Sequence, residues 1–148
     1  MSLEKIFAGS QISASGLTAE RTRMEVAAHN IANAHTTRGE NGEPFRRQQV
    51  AFAAAMNHFQ GHKPGTAGEM RGVRVVGIQS DMSELPQLYD PGHPDANADG
   101  YVQMPNVQIP HEMVDMMTAS RAYEANLKSL QTFRELAEQA LSLLRGIS

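Results

Sequence analysis

The sequence predicts a mainly α protein with a small β-rich middle. Long N- and C-terminal helices pack as an antiparallel coiled-coil-like pair, and a small β/turn module is inserted between them. Three observations carry this. All seven Pro lie between Pro44 and Pro110, and nine of the 12 Gly lie between Gly39 and Gly100, so breakers crowd the middle and spare the ends. Each end carries an apolar stripe repeating every seven residues. The ends also match in length: residues 3–35 and 111–145 hold 33 and 35 residues, which is about 50 Å of helix each.

At the N-terminal end, Leu3, Ser10, Leu17, Met24 and Ile31 are spaced by seven, and Phe7, Ala14, Arg21 and Ala28 follow the first four of them by four. Seven of these nine positions are apolar. Gly9 and Gly16 interrupt the helix, each costing about 1 kcal/mol relative to Ala. Thr36, Thr37 and Gly39 end the pattern.

In the middle, residues 48–54 and 73–78 read as strands, 60–72 as a loop, and 90–100 as a dense cluster of turn formers. At the C-terminal end, Met113, Ser120, Leu127, Arg134 and Leu141 are spaced by seven, each followed three later by Met116, Tyr123, Leu130, Ala137 and Leu144. Eight of these ten are apolar. Pro110 suits a first helical position, Glu112 and Asp115 complement the helix dipole there, and Gly146 suits a C-cap. The expected division is a discontinuous terminal-helix domain, 1–37 with 111–148, and a β/loop module, 38–110.

Composition limits what such a chain can do. Leu, Ile, Val and Phe number 29 of 148, and the 41% hydrophobic content rests on 19 Ala and 9 Met. The core is therefore built from small and soft side chains. No apolar run approaches the length of a membrane span, so direct membrane insertion is not expected. The start lacks the apolar stretch of a cleavable secretory signal. With no Cys, disulfides, thiolate metal sites and cysteine nucleophiles are excluded. A net charge of −3 with no basic block argues against nucleic acid.

Candidate chemistry is sparse. Asp95, Asn97, Asp99 and Gly100 match the first half of a calcium loop, but its twelfth position is Asn106 instead of Glu, and Pro94 and Pro105 flank it. The plainer reading is a polar turn whose side chains cap their own backbone. His58 and His62 have the spacing of a helical metal pair, but Gly61 and Pro64 disfavour a helix there. His29 and His35 do not share a face. No nucleophile elbow, zinc-protease or phosphate-loop motif is present, so an enzyme is not expected and no cofactor is implied. Met113, Met116 and Met117 read as core or seam before they read as an adaptable binding face. These observations leave open an assembly subunit, a small calcium- or metal-binding module with helical arms, and a closed coiled-coil adaptor.

Three stretches narrow the choice. Residues 24–37 read MEVAAHNIANAHTT, in which Asn30, Ile31, Ala32 and Asn33 resemble the Asn-Ile-Ala-Asn signature of bacterial flagellar rod and hook axial proteins. His29 and His35 stand where that family commonly has Asn. Residues 89–107, YDPGHPDANADGYVQMPNV, and 113–126, MVDMMTASRAYEAN, are similar to the middle and C-terminal signatures of its C-type proximal rod proteins. The resemblance implies a non-enzymatic subunit of the flagellar basal-body rod, exported by the flagellar type III machinery without signal-peptide cleavage. It implies helical assembly across the periplasm around the export channel, where the rod transmits torque. Expected partners are copies of itself, other rod proteins and the export-gate/MS-ring adaptor.

The positions expected to serve assembly or packing are Leu3, Phe7, Leu17, Met24, Asn30, Ile31, Asn33, Met113, Met116, Arg121, Tyr123, Glu124, Asn126, Leu127 and Leu130. Among them, Asn30 and Asn33 are expected to bond backbone or side chains of neighbouring subunits, and Arg121 and Glu124 to pair across an interface. Tyr89, Asp90, Pro91, Gly92, His93, Pro94, Asp95, Asn97 and Gly100 are expected to form a stiff structural turn.

Overall fold

Breaker-free ends become helices, and the Pro- and Gly-rich middle becomes short sheets. The computed structural model describes residues 3–39, 41–56 and 70–145. Its order is α1 (Leu3–Ala32), β1 (Gln48–Met56), β2 (Met70–Ser80), β3 (Gln87–Tyr89), β4 (Tyr101–Gln103) and α2 (Ile109–Arg145). His58 and His62, which only share the spacing of helical metal ligands, and the expected C-cap, Gly146, lie outside the described residues.

The first helix stops at Ala32, short of the expected end at residue 35, because Asn33 turns back on it. The Asn33 side-chain amide donates to His29 O at 2.9 Å, and past it the backbone bonds tighten to three-residue spacing, Ala34 N–H to Ile31 O at 3.2 Å and Thr36 N–H to Asn33 O at 3.1 Å. Local amide-to-backbone bonding of this kind competes with helix propagation. No described helix is long and apolar enough to cross a membrane.

β1 pairs with β2, and β3 with β4. The second pair is antiparallel, with Gln87 opposite Gln103, Leu88 opposite Val102 and Tyr89 opposite Tyr101. Val102 is buried at 1% exposure, while Tyr89 and Tyr101 meet edge-to-face at 5.2 Å. This short hairpin has no counterpart among the strands expected from the sequence.

The chain divides into two compact units. Unit 1 comprises Met1–Arg21, Phe52–Val76 and Ala119–Ser148; unit 2 comprises Thr22–Ala51 and Gly77–Thr118. In unit 1 the helices run antiparallel: a Cβ at Gly9 would meet the Phe133 ring at 2.7 Å, and one at Gly16 would meet the Asn126 amide at 2.9 Å. Seven residues forward on α1 is seven back on α2. The two glycines, read from sequence as weak points, are places where large partners need the room. Among the described residues, the buried apolar side chains of unit 1 are Ala19 and Ala119; those of unit 2 are Val26, Ala27, Ala34 and Val102.

The seven-residue frame is real, but its phase differs from the expected one. On α2, residues 112 and 119 are buried and 126, 133 and 140 half-buried, together with 116, 123, 130 and 137. Met113, Leu127, Arg134 and Leu141, expected on the seam, are exposed one position away. On α1, Ala14, Arg21 and Ala28 are exposed, while Ser13, Ala19, Val26, Ala27 and Asn30 are buried. The physical reason is that the seam holds polar and small residues, Glu112, Ala119, Asn126 and Asn30. Met113, Leu127 and Leu141 lie off it, while Met116, Tyr123, Leu130 and Phe133 share it.

Candidate assembly site

Two features stand out, a buried polar cluster in unit 2 and exposed apolar side chains on the helices. The cluster begins with Asn30, which is completely buried near the end of α1. Its Oδ1 accepts from the Gln48 N–H at 2.8 Å, and its Nδ2 donates to Gln48 O at 2.9 Å. The same Nδ2 donates to Glu112 Oε2 at 2.8 Å. The other Glu112 oxygen accepts from Arg47 Nε at 2.5 Å. Arg47 Nη2 lies 3.4 Å from Asp115 Oδ2, and Arg23 Nη2 lies 3.0 Å from Asp115 Oδ1.

A carboxylate buried to 2% exposure is tolerable only because an amide and a guanidinium share it. Asn106 extends the arrangement: its Oδ1 accepts from the Arg47 N–H, and its Nδ2 donates to Asp81 O and Ser83 Oγ. Asp81 in turn accepts from the Ser83 N–H at 2.9 Å, which holds its carboxyl below the usual value.

The expectation that Asn30 bonds a neighbouring subunit does not hold, because its amide is satisfied within the chain. Sequence reasoning saw Glu112 and Asp115 only as dipole partners and missed Arg47, Gln48 and Arg23. The available signal was the Arg46–Arg47 pair just before a strand.

Residues 90–100 are held by local bonds. Asn97 Oδ1 accepts from the Asp99 and Tyr101 N–H groups at 3.0 and 2.9 Å, and Asp90 Oδ1 accepts from the Gly92 N–H at 3.2 Å. His93 Nδ1 accepts from the Asp95 N–H, which leaves the Asp95 carboxylate to bond the Thr37 hydroxyl at 2.8 Å and face Arg38 at 3.7 Å. Gly100, at φ +82°, leaves room for Tyr89 and Pro91. Of the calcium-like stretch, Asn97 therefore caps backbone, while Asp95 bonds the Thr37 and Arg38 side chains. Among the described residues no group of three or more His, Asp or Glu is placed to hold a metal.

Of the remaining candidates, Leu17, Met24, Ile31, Asn33, Met116, Tyr123, Asn126 and Leu130 are half-buried; Met113, Arg121, Glu124 and Leu127 are exposed. The side chains of Leu3 and Phe7 are outside those described. Exposed apolar residues continue along α2 with Val114, Met117, Leu136, Leu141 and Leu143, the last at 70%.

Residues 11–38 match the family described as "Flagella basal body rod protein". Residues 98–143 match "Flagellar basal body rod FlgEFG protein C-terminal". The chain is 41% identical to the flagellar basal-body rod protein FlgC of Borreliella burgdorferi, over 95% of this chain and 99% of the relative. This chain belongs to the FlgC family. The FlgC protein of Bacillus subtilis is likewise 41% identical, over 89% of this chain and 93% of its own. That of Yersinia enterocolitica is 41% identical over 97% and 98%. As a FlgC-family member the chain is a structural rod subunit of the flagellar basal body, not an enzyme, and it assembles with itself and other rod proteins.

Proposed function

We propose that the chain is a helically assembled segment of the proximal rod that surrounds the export channel and transmits torque across the periplasm. It reaches the rod through the flagellar type III machinery, without a cleaved signal peptide, and also meets the export-gate/MS-ring adaptor. Residues 1–37 and 111–148 are its assembly domain, and 38–110 form a module held by the turn at 89–100. Arg121 and Glu124, both exposed, pair with neighbouring subunits. Leu17, Met24, Ile31, Met113, Met116, Tyr123, Asn126, Leu127 and Leu130 complete the packing with Asn33.

One observation carries the reading. Unit 1 buries only two alanines among its described apolar side chains, yet exposes Ile12, Leu127, Leu136, Leu141 and Leu143. Burying a large apolar side chain is worth roughly 1.5–3 kcal/mol. Neighbours that cover these five supply stabilisation the unit lacks alone, and a helical rod provides such neighbours through repeated non-closing contacts. Unit 1 thus completes its order on assembly.

Hydrogen exchange of the purified chain, alone and mixed with neighbouring rod proteins, tests this. Exchange in residues 8–21 and 119–145 should be fast alone and slow in the mixture. Strong protection in the isolated chain that partners leave unchanged would refute it.

A further inference from the structure

We propose that Asn30, Arg47 and Glu112 form a register lock, a set of positioning residues that selects one alignment of α1 against α2 within unit 2. Apolar contacts alone cannot make that selection. On α2 the inward positions repeat every seven residues, with 112 and 119 buried and 126, 133 and 140 half-buried. A slip of one heptad again sets inward positions against inward positions. Small-residue stripes with a seven-residue repeat therefore admit several alignments of similar energy.

The polar cluster has no such repeat. Residues seven away from Asn30 are Arg23, which cannot accept, and Thr37, whose single O–H cannot donate to both Gln48 O and Glu112. Asn30 is fixed to the start of β1 by two bonds to Gln48, and Arg47 is the residue before it. Glu112, on α2, has its two oxygens divided between Asn30 Nδ2 and Arg47 Nε. Sliding α2 by seven residues withdraws that carboxylate from both donors at once. The buried carboxylate loses both partners, while the buried Asn30 amide and the half-buried Arg47 guanidinium each lose one, which disfavours the slipped state. Asp115 reinforces the choice by taking Arg47 and Arg23 with its two oxygens. A single buried polar contact is known to fix register in coiled coils at some cost in stability. The polar cluster here fits that role.

The test is made on the isolated full chain and depends on unit 2 alone, so it stands apart from the assembly reading. The chain has no Cys, so spin labels at Ala28→Cys and Thr118→Cys, both exposed, are specific. Double electron–electron resonance should give one narrow distance distribution in the otherwise native chain. The variant Asn30→Leu/Arg47→Met/Glu112→Leu should keep its helical circular dichroism and add a second population, displaced along the axis by about 10 Å, one heptad of helix rise.

A single narrow distribution in that helical variant, or two populations in the native chain, overturns the proposal. If the triple variant lacks helical signal, Glu112→Gln and Glu112→Ala decide. Gln keeps an oxygen acceptor and should hold one distribution; Ala removes it and should split or broaden it. Equal, narrow distributions for both overturn the lock.

Discussion

Asn30 grips Gln48 by both backbone groups, accepting from its N–H at 2.8 Å and donating to its carbonyl at 2.9 Å. A helix side chain here does what a neighbouring strand would do, pairing the first residue of β1. This fastens the middle of the chain to α1 at a buried point. Replacing Asn30 with Ala leaves the Gln48 N–H and C=O without these partners and removes one donor from Glu112. We expect a loss of about 3 kcal/mol, from roughly 1–3 per stranded group with partial relaxation, read as a lower urea midpoint. A change under about 0.5 kcal/mol, ordinary for a surface site, would contradict the geometry.

Gly9 gives a test in which helix propensity and packing oppose each other. Ala at this position should favour α1 by about 1 kcal/mol. Its Cβ, however, would lie 2.7 Å from the Phe133 ring, closer than packed atoms sit. Packing is expected to win: Gly9→Ala should reduce exchange protection of residues 9–21 in the assembled chain. In a Phe133→Ala background the same substitution should increase it. The same sign in both backgrounds would mean that the ring is not what requires Gly9.

Much of the fold was readable from residue order alone, and the exceptions have a common cause. Helix positions followed from where Pro and Gly are absent, and both long strands followed from residues 48–54 and 73–78. The phase of the seam did not follow, because the largest apolar residues were expected to face inward. A seam can instead be filled by Glu112, Ala119 and Asn126 when Glu112 finds partners elsewhere in the chain and Asn126 donates to the Ala122 carbonyl one turn back. The partners of Glu112, Arg47 and Asn30, are 65 and 82 residues from it in sequence. No local pattern reports a contact at that separation. The turn at 90–100 was readable because its bonds are local, Asn97 to Asp99 and Asp90 to Gly92.

Gly100 should prove intolerant of any side chain. Its φ of +82° strains other residues, and an added Cβ would come within 3.0 Å of the Tyr89 ring and 3.2 Å of Pro91. Gly100→Ala is expected to cost about 1–3 kcal/mol, the range for a residue held in such a conformation. It should also speed proteolysis at 89–101. Substituting Pro91 and Gly92 together should loosen the same turn, and unaltered protease resistance in both variants would contradict its role as a stiff element.

Asp81 sets part of the acid response. The Ser83 N–H lowers its pKa most, then the Ser83 side chain; burial opposes them, and Arg47 and the Gln49 amide add weaker lowering effects. A carboxyl lower in the folded chain than its usual 3.8 contributes stability while ionised in both states. That contribution is present above 3.8 and is lost as pH falls through the folded-state value. The stability difference between native chain and Asp81→Asn should thus be constant above about pH 5, where carboxylates are ionised, and shrink in more acidic solution. A difference that grew on acidification would mean that folding favours the protonated form of Asp81 instead.

Leu127 and Leu141 separate assembly from folding. They are 42% and 56% exposed on α2 in unit 1, so a polar replacement removes little from the single chain. Leu127→Ser and Leu141→Ser should each move its unfolding free energy by no more than about 0.5 kcal/mol, as surface substitutions do. If neighbouring subunits cover these side chains, each substitution forfeits roughly 1.5–3 kcal/mol per contact in the rod. The loss recurs at every copy. Co-sedimentation with rod partners should therefore fall, and swimming should weaken, while the isolated chain unfolds at its usual denaturant concentration. Stability lost in the isolated chain would place these leucines in its own core. Normal assembly in both variants would show that the rod buries a different face of α2.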